Sequence, residues 1–371
     1  MHIPDGYLSP QTCAAAYVVA VPAWVTASRK VTKVVRTRNV PLLAMFAAIS
    51  FLVMMFNIPI PDGTTAHAVG AVVIAVVLGP WAAVIAISVA LLFQALLFGD
   101  GGVLAYGANV LNMAILMPFA GIAVYRLVAG SAPLTSRRRV VAAGIGGYVG
   151  INVAALATAI EFGIQPALFH TASGAPLYSP YSLSQTIPAM MLAHLTVAGA
   201  AEAILTAGVL AYLARADVRR LVPNHPGVPV SADAAAALPP GRPRRLTPAR
   251  VAIAFVALMV LLTPLGLLAP GGAFGEAAPR DLDLGALGLS AVPDGLNRYN
   301  GFWSHTVLGG YGFADGENAK LGYWLSALVG IAVIGLAVWL IAVVVQRLTR
   351  GRGAPDGDTD RAPAPREVPA P

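Results

Sequence analysis

Nine stretches of the chain are apolar over lengths that suit a membrane helix, and short polar segments separate them. A helix that crosses the hydrocarbon core needs about 20 mostly apolar residues. The stretches are 11–28, 40–56, 66–78, 81–98, 103–128, 140–162, 183–214, 251–268 and 321–345. The third and fourth are divided only by Gly79-Pro80, a turn in which Pro80 suits the first position of the next helix. This pattern predicts an all-α, polytopic membrane protein of seven helices followed by two more.

Composition supports that reading. Charged residues make up 11% and apolar residues 57% of the 371, where a soluble domain carries about 25% charged residues. The formal charge of +7 would suit nucleic acid if it were spread over a soluble surface, but the basic residues sit in short clusters between apolar runs. Such clusters orient membrane helices. With the N-terminus outside, 21 of the 24 Lys and Arg fall in cytoplasmic segments, leaving Arg280, Arg298 and Lys320 on the other face. The expected topology is therefore N-terminus out, C-terminus in. Residues 1–10 contain no Lys or Arg, so they lack the basic start of a cleavable signal peptide. A single Cys13 excludes a disulfide framework and a multi-cysteine metal site.

Two polar stretches divide the chain into a membrane domain over 1–222, a cytoplasmic linker over 223–248 rich in Pro, Ala and Arg, a two-helix section over 249–347, and a tail over 348–371 with the linker's character. The two-helix section encloses an outside loop over 269–320, rich in Gly and Asp. No G-x-x-x-x-G-K-[ST] phosphate loop is present, so the chain does not hydrolyse ATP by that device. Transport would draw on an ion gradient or a separate ATPase.

The opening residues Met-His-Ile-Pro-Asp-Gly-Tyr-Leu-Ser-Pro carry the most specific chemistry. A terminal amine, the next amide nitrogen and the imidazole of His2 can close fused chelate rings in one plane, provided Met1 is retained and unformylated. A fourth nitrogen completes a square plane, a geometry typical of Ni(II) or Cu(II). His67, which ends the Pro- and Gly-rich loop 57–67 on the same side of the membrane, is the natural donor. A lone histidine there also reads as an interfacial side chain, and spacing alone leaves both readings open.

Further polar groups fall inside apolar stretches: Gln94, Asn109, Asn112, His194 and Glu202, with Asp100 in an outer turn. Asn109 and Asn112, three apart, share a helix face. Amides in membrane helices commonly bond a neighbouring helix, whereas Glu202 is an intramembrane ionisable group and so a functional candidate. Its pairing with His194 would serve structure equally well.

Several of these segments resemble one family. Met1-His2-Ile3-Pro4-Asp5-Gly6, the 57–67 loop, the 94–102 stretch with Gly107-Ala108-Asn109, and Ala193-His194-Leu195 leading to Glu202 are similar to the CbiM/NikM family over residues 1–221. Its members are substrate-binding membrane components of energy-coupling-factor (ABC-type) transporters for cobalt and nickel. The section 246–347, with Val292-Pro-Asp-Gly-Leu296, resembles the PDGLE domain related to the small CbiN/NikN subunit. The resemblance implies that the transported Ni(II) or Co(II) is held by the Met1 amine, the backbone nitrogen and imidazole of His2, and the imidazole of His67. Asp100, Asn109, Asn112, His194 and Glu202 are the candidate supporting residues around such a site. The resemblance further implies a pair of ATPase subunits and a transmembrane coupling subunit as separate chains, with an Ala44/Ala48 small-residue face for docking. No resident cofactor is implied, no nucleic acid and no enzymatic activity. Asp62 and Ala66 stand where the family loop carries Gly, so a left-handed backbone at Ala66 would be strained; Asn297 replaces an acidic residue. The rival class is a stand-alone secondary transporter or channel for divalent cations, which favours inverted repeats and paired mid-membrane charges. No convincing repeat is present.

Overall fold

The computed structural model describes residues 1–35, 40–60, 64–230, 248–269, 272–313 and 316–350. Most of the polar segment between the two halves (231–247), the tail from 351 onward, Asp62 and Asp315 lie outside the described residues. Each apolar stretch contains a helix. We number them α1 (Pro10–Val35), α2 (Val40–Met54), α3 (Ala71–Leu78), α4 (Pro80–Phe98), α5 (Tyr106–Ala129), α6 (Arg137–Leu168), α7 (Leu183–Ala216), α8 (Arg250–Leu268) and α10 (Ala319–Arg350), with a short α9 (Asp294–Tyr299) in the loop between the last two. Among the described residues, six helices, α4 to α8 and α10, are long and apolar enough to cross a membrane.

The third stretch differs from its sequence pattern. Thr65 and Ala66 form a strand, β2, that pairs antiparallel with β1 (Ile58–Pro59). Helix α3 therefore starts only at Ala71 and has eight residues, a length of about 12 Å. Ala66 sits in this extended pairing, so no left-handed conformation is imposed on it. The Gly79-Pro80 turn forms as its residues dictate: Gly79 has φ 98° and Pro80 opens α4.

Helix α6 packs against both α5 and α7. Glycine makes the first crossing close, since a Cβ on Gly146 would lie 2.6 Å from the carbonyl oxygen of Gly121. Helix α10 packs along α2 and touches α4, so the second half of the chain is built onto the first.

Three helices contain a π-helical segment: Gln94–Phe98, Val110–Leu116 and His194–Ala198. Each begins at or includes a buried polar residue, Gln94, Asn112 or His194. Such widened turns recur at functional sites. One end of the bundle gathers the N-terminal segment, the hairpin, the 99–105 turn and the loop 272–313. The other gathers the Gly79-Pro80 turn and residues 217–230, where Asn224 bonds the carbonyls of Ala75 and Val76 and Leu134 N–H donates to Pro229.

Candidate metal centre

Residues 1–9 are not a solvated leader. Met1, His2, Ile3 and Asp5 are all buried, and each backbone group that water would have satisfied must find a protein partner. Asn109 provides two of them: its Oδ1 accepts from Ile3 N–H at 2.8 Å and its Nδ2 donates to Ile3 O at 3.1 Å. Gly102 N–H also donates to Ile3 O, at 2.8 Å. The Asp5 carboxylate accepts from Val103 N–H and Ala105 N–H, each at 3.0 Å. The segment then enters α1 with the Ser9 hydroxyl accepting from Thr12 N–H, ahead of Pro10 at the first helical position.

This anchoring delivers His2 to His67, with ring centroids 5.0 Å apart. His67 is positioned by its own neighbours. Its Nδ1 lies 3.0 Å from Ala68 O, and a carbonyl only accepts, so the proton is on Nδ1 and the Nε2 lone pair is free to ligate. The next two backbone N–H groups, of Val69 and Gly70, both donate to Glu202 Oε2 at 2.8 Å. Glu202 therefore grips the hairpin exit rather than His194, whose Nδ1 donates to Met190 O at 2.7 Å. The π-segment holding His194 packs against β2.

Burial first, and then the positive terminal amine, pushes the His2 imidazole down to about 3 and holds His67 well below the usual histidine range. Both rings are neutral, the form that binds metal.

Two carboxylates face the nitrogen donors. The Asp100 Oδ1 lies 3.1 Å from His2 Nδ1, and Glu276 Oε1 lies 3.5 Å from the Met1 amine. Asp100 Oδ2 is in turn held by the Tyr311 hydroxyl at 2.5 Å and by Gln94 Nε2 at 3.2 Å. Burial raises both carboxyls above their ordinary range, Glu276 to about 7, against the opposing pull of the amine. His2 Nε2 is buried and has no hydrogen-bond partner. Among the described residues, no group of three or more His, Cys, Asp or Glu side chains could hold a metal ion.

Asp100, Asn109, His194 and Glu202 thus gather around the segments carrying His2 and His67. Asn112 does not. It donates to Glu161 Oε2 at 2.6 Å and to Thr158 at 3.1 Å, on the side facing α6. Ala48 is buried and Ala44 half-buried within the chain's own packing, on the helix that α10 covers. Glu276 and Tyr311 were not among the residues the sequence pattern singled out. They lie in a Gly- and Asp-rich loop without periodicity, where nothing marks one acidic or aromatic residue over another.

That loop covers the N-terminal segment. Gly6 has φ 92°, and a Cβ on it would lie 2.6 Å from Leu296 O in α9. Leu296 N–H donates to Leu177 O, Tyr7 hydroxyl to Ala277 O, and Val307 and Leu308 N–H to Leu97 O.

The comparisons agree with this architecture. The chain is 48% identical over 365 residues to the fused nickel transport protein NikMN of Rhodobacter capsulatus, covering 95% of this chain and all of that one. It is 43% identical over 343 residues to the probable fused nickel transport protein LarMN of Lactiplantibacillus plantarum, covering 91% and 96%. A crystal structure of a truncated transition metal transporter matches with 58% identity and a TM-score of 0.54, covering 57% of this chain and 98% of that one. The family model described as CbiM, cobalt uptake substrate-specific transmembrane region, matches residues 2–220. With that match over more than half its length, and full-length relatives that carry the same appended section, the chain is a multi-pass membrane protein belonging to the CbiM family, fused to a C-terminal NikN-like domain.

Proposed function

We propose that this protein captures Ni(II) or Co(II) outside the cell as the substrate-binding component of an energy-coupling-factor importer. The Met1 amine, the His2 amide and imidazole, and His67 Nε2 are the four donors in this reading. Its carrying observation is the meeting of a buried N-terminus and two neutral imidazoles at one point. The amine and the His2 amide are deprotonated when they ligate, so capture releases protons. The ion takes over the amine and His2 Nδ1 from Glu276 and Asp100, which remain beside it as charge partners. ATPase subunits and a membrane coupling subunit are separate chains in this reading, since the chain has no phosphate loop. In this reading helices α1 to α8 and α10 lie in the membrane with His67 at its outer face, the N-terminus is outside and the C-terminus inside, as the basic clusters indicate. The names of the relatives, which are nickel and cobalt transport proteins, favour these two metals.

The test is equilibrium titration of the purified full chain with Ni(II) and Co(II), read by the ligand-field absorption of the bound ion. A four-nitrogen planar site gives a strong visible band for Ni(II) and a stoichiometry of one. No binding, or an octahedral spectrum, overturns the donor set.

A further inference from the structure

At the end of the bundle opposite His2, a cavity of about 490 Å³ opens between α1, α4 and α5. It has the size of a small-molecule site. Its floor is apolar and aromatic: Leu78, Trp81 and Phe119 line it, and the Trp81 and Phe119 rings meet edge-on at 4.9 Å. Its rim is cationic. Lys30 Nζ stands 4.9 Å from the centre of the Trp81 ring, and Arg126 faces the same opening. Both are exposed, and neither pairs with a carboxylate among the described residues.

Two cations over an aromatic floor ask for an amphipathic anion. An inorganic phosphate would leave the floor unused, and an uncharged lipid would leave the cations unused. The residues also sit where a membrane supplies such a ligand. Trp81 stands in the first turn of α4, directly after the tight turn between two apolar helices, a position at which indoles meet headgroups. Lys and Arg near the cytoplasmic leaflet are attracted by its anionic lipids. We propose that this groove binds the phosphate headgroup of an anionic phospholipid, with Lys30 and Arg126 on the phosphate and Trp81 and Phe119 against the glycerol region. The assignment to the inner leaflet rests on the topology given under Proposed function.

The experiment uses the full chain in nanodiscs of phosphatidylcholine with or without phosphatidylglycerol, and native mass spectrometry to count retained lipid. Phosphatidylglycerol should be retained in preference to phosphatidylcholine, and Lys30→Gln with Arg126→Gln should weaken its retention about 30-fold. Arg137→Gln with Arg215→Gln removes the same charge from the same end of the bundle, outside the cavity, and should leave retention unchanged. Equal loss in both pairs would mean diffuse attraction and overturn the site. Displacement by inorganic phosphate alone would reassign it to the free ion and overturn the lipid. Unchanged lipid retention with loss of coupling-subunit assembly would make the groove a protein contact, which also overturns it. Thiol labelling of Lys30→Cys in a Cys13→Ser background reports the side of the membrane separately. Labelling from outside overturns the leaflet and the topology, whatever the lipid result.

Discussion

Asn109→Ala tests whether seating of the N-terminal segment limits metal capture. The amide makes two hydrogen bonds to the backbone of Ile3 and is almost completely buried. A buried neutral hydrogen bond contributes about 1 kcal/mol, so removing both weakens the seated conformation by about 2 kcal/mol. Ile3 O keeps its bond from Gly102, but Ile3 N–H loses the Asn109 oxygen, which adds roughly 1 to 3 kcal/mol where no water reaches it. A polar hole of that kind admits water, so this addition falls away and about 2 kcal/mol remains. Apparent affinity scales with the fraction of molecules whose site is assembled; 2 kcal/mol therefore means up to about a 30-fold rise in Kd. Asn112→Ala is the matched control. It is as buried and one turn away, but its bonds run to Thr158 and Glu161. It should lower the melting temperature and leave the Kd for Ni(II) within about twofold. Wild-type affinity in folded Asn109→Ala, or equal loss in both variants, would refute the reasoning.

Adding one residue before Met1 replaces the amine by an amide in a pocket where Met1 is buried; high-affinity Ni(II) or Co(II) binding should vanish in titration, as it should in His2→Ala. His67→Ala should weaken binding by more than a hundredfold, whereas His225→Ala should cost thermal stability only, because His225 lies at the opposite end bonded to the Tyr125 hydroxyl and Leu221 O; equal effects on affinity would contradict the assignment. Acid should loosen the N-terminal segment of the metal-free protein: His2 and His67 have depressed pKa values, so their neutral burial is fully tolerated above about 6.5 and is lost progressively below it, for His2 down to about 3. Hydrogen exchange of residues 2–8 between those limits reads this, and exchange that is flat with pH would count against it. Removing everything after Leu246 should leave equilibrium affinity within a few-fold, since all four donors remain, yet reduce uptake in cells carrying the partner subunits; destroyed affinity in folded protein would place ligands in the loop.

The helices were legible because a lipid-facing chain has to be apolar along its whole length, and the His2 motif because three donors are adjacent in sequence. Legibility ended where the backbone left regular geometry. Asn109 and Asn112 share a face at 3.6 residues per turn, but the wider π-helical turn from Val110 onward swings Asn112 toward α6. The third apolar run reads as a helix from residue 66, yet its start pairs as a strand because the Pro-rich loop before it folds back. Glu276 was beyond reach for another reason. Its partner is the chain terminus, 275 residues away, and nothing local in a Gly-rich loop encodes that meeting.

The cover over the first residues, Leu296 above Gly6 and Glu276 against the amine, belongs to the same polypeptide as the residues it covers. Where such a cover is a separate subunit, its occupancy varies with expression level and dilution. Tethered here, it is present once per site at an effective concentration that dilution does not change. If metal sits at the proposed donors, its exchange proceeds by local opening of the loop, at a rate independent of protein concentration, and no unequal synthesis of two genes can leave the site uncovered.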